Sequence, residues 1–226
     1  MLRERQVELL RRAGVPSMTS PEAADLQPGF LLRPVWVANT LFFSKLTEDT
    51  RQGATITEHG YCYAGVARWT KREKVNVFAC RLLLVPLNFG NSQWALGVID
   101  MATKRIEVWD SLNGGDNSKV ASILLHMLGD EFKNKNPPGA SFDADEWDVD
   151  GRPSSPAPQQ ENYSDCGCFM LANVDFFLLG HVPNFLQTFI PHFRRHIARA
   201  CLTGSVNAPA RNLLQKEEKI IPPFPS

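Results

Sequence analysis

The chain has no charge surplus of either sign. Its 24 lysines and arginines balance 24 aspartates and glutamates over 226 residues. Without a global basic bias nucleic acid is not an expected partner, and without a long single-sign run there is no charged tail. Long apolar runs are also missing, so no segment is expected to span a bilayer. The start, Met1-Leu2-Arg3-Glu4-Arg5-Gln6, lacks the apolar core of a signal peptide. A soluble intracellular protein, in nucleus or cytoplasm and without a membrane partner, is the expectation. Cysteines are few: Cys62, Cys80, Cys166, Cys168 and Cys201. Their odd number and irregular spacing argue against a disulfide framework and for a reducing compartment. Cys166 and Cys168 are too close to resemble the paired ligands of a structural zinc site. No metal or cofactor is implied, no internal repeat is visible, and a monomer is expected. At roughly 150 residues per domain the length suggests one domain, large enough to bury a core without staples.

What is present begins with residues 1–13, which read as a short amphipathic helix. Ser20-Pro21-Glu22 is a helix-start signal. In Phe30 to Leu46 the half from about Asn39 repeats apolar residues as an inward-facing helix would, and Tyr61 to Lys74 suggests another helix. Three strands follow: Arg81 to Leu87, Trp94 to Asp100 and Arg105 to Asp110. The short Met101–Lys104 link predicts a hairpin between the last two. Val120 to Phe132 has strong helical periodicity. Residues 134–157 read as a loop, with Asp143, Asp145, Glu146, Asp148 and Asp150 around Trp147 and an edge strand at Trp147-Asp148-Val149. Phe169 to Leu179 is an apolar helix. Phe185 to Leu202 is a further helix interrupted at Pro191, with Arg194, Arg195 and Arg199 on it. The expected class is α+β, a central mixed sheet flanked by helices, with the Cys166 helix packed against it.

The stretch Pro158 to Met170 joins a proline-rich polar loop to that buried helix and sets Cys166 at the junction. First-turn N–H groups lack intrahelical partners and the helix dipole is positive there, which favours the thiolate, the reactive form of cysteine. Cys166 is therefore either a nucleophile or a small buried apolar residue, as free cysteines often are. A nucleophilic thiol needs a proton acceptor and a group that orients the acceptor. Asp110, at a strand end, suits the orienting role, or simply caps a turn. Gln160 is placed either to donate to an oxyanion beside the Cys166 N–H or to sit in solvent.

Together these residues resemble the ubiquitin-like-protein proteases, the SUMO-specific cysteine peptidases. The third block of that family, proline-glutamine-glutamine-x-asparagine-x-x-aspartate-cysteine-glycine, is complete in Pro158 to Gly167. The second block, histidine-tryptophan followed by aliphatics and aspartate and then aspartate-serine, reads Gln93-Trp94 to Asp100 and Asp110-Ser111-Leu112. His59-Gly60-Tyr61 with Gly65 to Trp69 resembles the helix that precedes the sheet, and Trp36 with Val37-Ala38-Asn39 resembles the first block. The likeness covers about 26–203 as a catalytic domain, leaving an N-terminal extension, 1–25, and a C-terminal tail, 204–226. It implies a cysteine-proteinase-like fold with Cys166 as nucleophile, Asp110 orienting the base and Gln160 in the oxyanion hole. Trp36 and Trp94 would cover a narrow passage for a terminal Gly-Gly. The implied partners are SUMO or a related ubiquitin-like protein and its conjugates, and the implied reaction is hydrolysis of the peptide or isopeptide bond after Gly-Gly.

One position departs from the pattern: Gln93 stands where the family carries its histidine, in register with Asp110. Glutamine cannot take a proton from a thiol near neutral pH or protonate a leaving amine. Losing general acid–base help costs roughly 10²–10⁴ in rate. His59, His126, His181, His192 and His196 are the remaining histidines. The sequence therefore carries two functional expectations, a thiol peptidase with crippled activity and an inactive pseudoprotease that binds ubiquitin-like proteins. A third, that the fold serves another interaction through the acidic 143–150 loop or the basic 194–199 helix, ranks last, since such charge runs are usually solvated faces.

Overall fold

The computed structural model describes residues 33–48, 60–90, 92–112 and 115–203. The helices expected over 1–13 and from Ser20, and His59, lie outside these. Strand β1 (Val35–Val37) leads into the short helix α1 (Phe42–Leu46). A 3₁₀ turn (Tyr63–Gly65), the single-turn α2 (Trp69–Arg72) and a second 3₁₀ turn (Val77–Ala79) precede strands β2 (Leu82–Phe89), β3 (Gln93–Asp100) and β4 (Arg105–Trp109). Helix α3 (Ser118–Lys135), strand β5 (Asp148–Gly151) and helix α4 (Cys166–Leu178) follow. A 3₁₀ turn (Gln187–Phe189) then runs into α5 (Ile190–Thr203).

The five strands form one mixed sheet in the order β1-β2-β3-β4-β5. The centre is an antiparallel meander, while β1 joins β2 and β5 joins β4 in parallel. The expected three-strand cluster is thus the middle of a larger sheet. Strand β2 is apolar along its length because both its faces are covered. Leu83, Val85 and Leu87 join Ala95, Ile99, Ile106 and Val108 under α1 and α3. On the other face Leu82, Leu84, Leu96, Val98 and Trp109 pack with Met170 and Phe177 of α4. Gly97 lets α3 approach closely, since a Cβ there would lie 2.9 Å from Leu124 Cδ1.

Helix α4 is covered twice. Its side away from the sheet, Phe169, Ala172 and Phe176, packs with Phe185, Phe189, Ile190 and Phe193. That explains why Phe169 to Leu178 has so little polar face: a helix buried on both sides needs none.

Two helical expectations change. Residues 61–74 are not one helix, because side chains pull the segment onto α3. Tyr61 Oη donates to Asp130 at 2.8 Å, Tyr63 Oη to Glu131, and Thr70 Oγ1 to Glu131 at 2.6 Å. Pro191 does not interrupt the last helix. It is the second residue of α5, in the first turn, where the missing N–H has no intrahelical partner to lose.

Candidate active site

The antiparallel register of β3 and β4, in which Leu96 pairs with Trp109, brings the start of β3 and the end of β4 to one end of the sheet. Gln93 opens β3 and Asp110 follows the last residue of β4. Gln93 Nε2 donates to Asp110 Oδ1 at 2.7 Å and to Oδ2 at 2.8 Å. Asp110 is buried, and its Oδ1 also accepts the Leu112 N–H at 2.9 Å. The amide therefore occupies the carboxylate in the manner of a base being oriented, without being a base.

The loop ahead of Cys166 is stitched to the same strand end. Gln159 Nε2 donates to the Asp110 carbonyl at 3.0 Å, and the Gln160 N–H donates to the Ser111 carbonyl at 2.8 Å. Ser111 Oγ donates to Gln160 Oε1 at 2.6 Å, and Gln160 Nε2 donates to the Asn162 carbonyl. A primary amide carries two N–H donors, so the Gln160 carboxamide is held at both ends with a donor in reserve.

Cys166 is the first residue of α4 and is buried. The Asp165 carbonyl accepts the N–H groups of Cys168 at 2.8 Å and Phe169 at 3.0 Å. The N–H groups of Cys166 and Gly167 stand at first-turn positions that have no intrahelical acceptor. A Cβ at Gly167 would lie 3.7 Å from Trp94 Cδ1, which puts the start of α4 beside the residue that follows Gln93. Cys168 faces the α4–α5 layer, where burial pushes its thiol pKa up.

The junction is anchored by a residue that does not cap the helix. Asp165 makes no side-chain cap bond; instead it accepts from Asn162 Nδ2 at 2.7 Å, Gln187 Nε2 at 2.7 Å, and Arg194 through Nε at 3.0 Å and through Nη2. Burial pushes its carboxyl pKa up, but the hydrogen bonds from Asn162, Arg194 and Gln187, with the Arg194 charge, outweigh burial and hold it below the usual carboxylate range. A second buried acid supports β4. Glu107 accepts from Trp109 Nε1 at 2.8 Å and from the Ser154 N–H at 2.9 Å. Burial raises its pKa despite these bonds.

The structure thus brings Gln93, Trp94, Asp110, Gln160 and Cys166 to one region. Trp36 is not among them. It pairs with Leu83 in β1–β2 register and faces α1 on the opposite side of the sheet from α4. There it is 5% exposed, 5.4 Å edge-on from Phe42, with its Nε1 donating to Glu73 at 2.7 Å. The described histidines are engaged elsewhere: His126 lies 6.1 Å from Tyr61, His196 stacks at 6.0 Å on Phe193, His192 Nδ1 is 2.8 Å from Arg195, and the His181 N–H bonds the Phe176 carbonyl at 3.0 Å. Ser111, Gln187 and Arg194 were not singled out for the site from sequence. Arg194 sits in a run that reads as a solvated basic face, and only the fold turns it toward Asp165.

A cleft of about 710 Å³ borders Asp110 and Gln159 and extends to the start of α3 and the Asp150–Ala157 loop. Among the described residues, no group of three or more metal-ligating side chains could hold an ion, and no helix is long and apolar enough to cross a membrane.

A cysteine opening a buried helix against a mixed sheet, with an amide–carboxylate pair at the adjoining strand ends, defines a cysteine-proteinase-like α+β fold. Comparison with known families narrows the class: residues 31–206 match the Ulp1 protease family, C-terminal catalytic domain, and the chain belongs to that family. Ubiquitin-like-specific protease ESD4 of Arabidopsis thaliana is 35% identical over 166 residues, covering 73% of this chain and 31% of that protein. Human Sentrin-specific protease 2 is 35% identical over 133 residues, covering 59% of this chain and 22% of that protein. The chain therefore spans under half the length of these curated relatives. Among solved structures, the C-terminal Ulp1 protease domain in complex with Smt3, the yeast orthologue of SUMO, superposes with a TM-score of 0.60 at 24% identity, covering 91% of this chain and 76% of that one. The Ulp1-like SUMO protease catalytic domain of Chaetomium thermophilum gives 0.57 at 20% identity, covering 90% and 69%. Both likenesses concern the fold.

Proposed function

We propose that this chain is a thiol peptidase for ubiquitin-like proteins of the SUMO kind, acting on the peptide or isopeptide bond after a terminal Gly-Gly, with turnover held low by Gln93. Cys166 is the nucleophile, Asp110 the orienting carboxylate, Gln160 and the Cys166 N–H the oxyanion donors, and Trp94 a wall against the diglycine. The observation that carries this reading is the Gln93–Asp110 pair. The carboxamide takes the seat of an oriented base, with both carboxylate oxygens within 2.8 Å, on the strand end beside Cys166. We place the catalytic domain at about 26–203, flanked by an extension, 1–25, and a tail, 204–226, in a monomer of the nucleus or cytoplasm.

The test compares the chain with Gln93→His on a SUMO C-terminal aminocoumarin conjugate. Restoring the imidazole should raise turnover by about 10²–10⁴, the usual worth of general acid–base help. No turnover by either form refutes the peptidase reading. The same pair of residues supports a second reading, a pseudoprotease that captures ubiquitin-like proteins without cleaving them. It is distinguished by calorimetric binding of mature SUMO together with failure of Gln93→His to release coumarin.

A further inference from the structure

We propose that the Cys166 site performs thioester exchange: it accepts the acyl group of a ubiquitin-like protein from a thioester donor and retains it on Cys166. This inference rests on the reading of the site as one for diglycine-terminated proteins. It goes beyond that reading by assigning a reaction the site can run with the residues it has.

Cleaving an amide needs a proton delivered to the departing nitrogen, and clearing the acyl-enzyme needs one removed from water. Gln93 can do neither, and its Nε2 is committed to Asp110 Oδ1 and Oδ2 at 2.7 and 2.8 Å. Asp110 does not replace it as a base, because its carboxylate is occupied by that amide and by the Leu112 N–H.

Exchange between a thiol and a thioester requires no proton delivered to the leaving group. The Cys166 thiol first gives its proton to solvent; Sγ, as thiolate, then adds to the carbonyl carbon of the donor thioester, and the carbonyl electron pair moves to oxygen. The oxyanion collapses, the donor C–S bond breaks, and the donor sulfur departs as a thiolate that takes its proton from solvent. One thioester is consumed and one is formed, with no change in oxidation state. A thiol of ordinary pKa, about 8.5, leaves as the anion without help, which an amine does not.

The groups this reaction needs are those that the Gln93 substitution leaves in place. Cys166 opens α4, with the N–H groups of Cys166 and Gly167 at first-turn positions. Gln160 is fixed by Ser111 Oγ at 2.6 Å and by the Asn162 carbonyl, with a second amide hydrogen to donate. Oxyanion donors act on the tetrahedral intermediate of a thioester as they do on that of an amide. Hydrolysis of the product still needs an activated water, so the acyl group persists.

The test uses the full chain with two probes of one protein: SUMO bearing a C-terminal 2-mercaptoethanesulfonate thioester, and SUMO bearing a C-terminal aminocoumarin amide. Mass spectrometry without reductant follows the adduct, and peptide mapping locates it. The expected result is a hydroxylamine-sensitive adduct on Cys166, absent in Cys166→Ala, forming at least about 10² faster than coumarin is released, the lower bound of general acid–base help. Gln93→His should discharge the adduct so that it no longer accumulates. Cys201 is exposed, so labelling that falls on Cys201 as readily as on Cys166 marks unassisted exchange and overturns the proposal. Calorimetry with mature SUMO separates the two ways of failing. Binding without an adduct, or coumarin release as fast as adduct formation, refutes exchange alone. Absence of binding refutes both exchange and the reading beneath it.

Discussion

Replacing Asp165 by alanine should unfasten the Cys166 junction from the last helix and the turn before it. Asp165 is 7% exposed and gathers Asn162, Gln187 and Arg194 from three separate segments. Hydrogen bonds to a charged group contribute about 1.5–3 kcal/mol net. The Arg194 side chain is 51% exposed, so its ion-pair share is reduced by solvent, and the two amides supply much of the rest. The expected loss is about 2–3 kcal/mol at pH 7, or roughly 5–10 °C in Tm for a domain of this size. The pH dependence identifies the carboxylate. Its folded pKa lies below the unfolded value, so the stabilisation is fully present above an unfolded pKa of about 4 and disappears as pH falls through the lower folded value. Urea melts of the original chain, Asp165→Ala, Asp165→Asn, Arg194→Ala and the double variant, at pH 7 and across the acid range, measure this. Asp165→Asn should flatten the acid-side loss while keeping part of the network. A loss under about 0.5 kcal/mol at pH 7, typical of an unremarkable surface site, would refute the reasoning, as would a loss that does not shrink in acid.

Two glycines give predictions of opposite kinds. Gly167→Ala places a Cβ in ordinary contact, 3.7 Å from Trp94, and should hold or raise Tm because alanine gains up to about 1 kcal/mol in a helix. The added methyl narrows the space beside Trp94, so calorimetric affinity for mature SUMO should fall about tenfold, or 1.4 kcal/mol; unchanged affinity would exclude a diglycine passage there. Gly151→Ala combines a φ of +75° with a Cβ 2.7 Å from the Asn117 carbonyl carbon and oxygen, which are backbone atoms and cannot step aside. It should cost about 2–4 kcal/mol in denaturant melts, and a loss under about 1 kcal/mol would mean that the β5–α3 contact yields freely.

The central strands were legible because their signals are local. Continuous apolar runs with a short link at 101–104 leave few alternatives, and α3 and α4 carry long, consistent patterns. Strand β1 was not, since three residues paired in parallel with β2 depend on a partner far along the chain. Tyr61 to Lys74 misread for a related reason: hydroxyl bonds to Asp130 and Glu131 override local helical spacing. At the site, the blocks marked Gln93, Asp110, Gln160 and Cys166, and the strand register shows how Gln93 and Asp110 meet. The face on which Trp36 lies follows from a one-residue choice of register in a short strand, which its own residues do not determine. Arg194 was hidden because an arginine in a basic run looks the same whether it faces water or a buried aspartate.

The double covering of α4 also sets when the site comes into being. Strands β2 to β4 are neighbours in sequence and close on one another through short links. Helix α4 packs on β3 only after α3, β5 and the proline-rich loop have been made, and it needs α5 for its outer face. Contacts this distant in sequence form late, and a chain made from its N-terminal end completes its early elements first. A partly synthesised chain can therefore hold a sheet while its thiol still has no seat. Because Arg194 is the residue that closes the Asp165 anchor, Cys166 takes up its place only once nearly the whole domain has emerged.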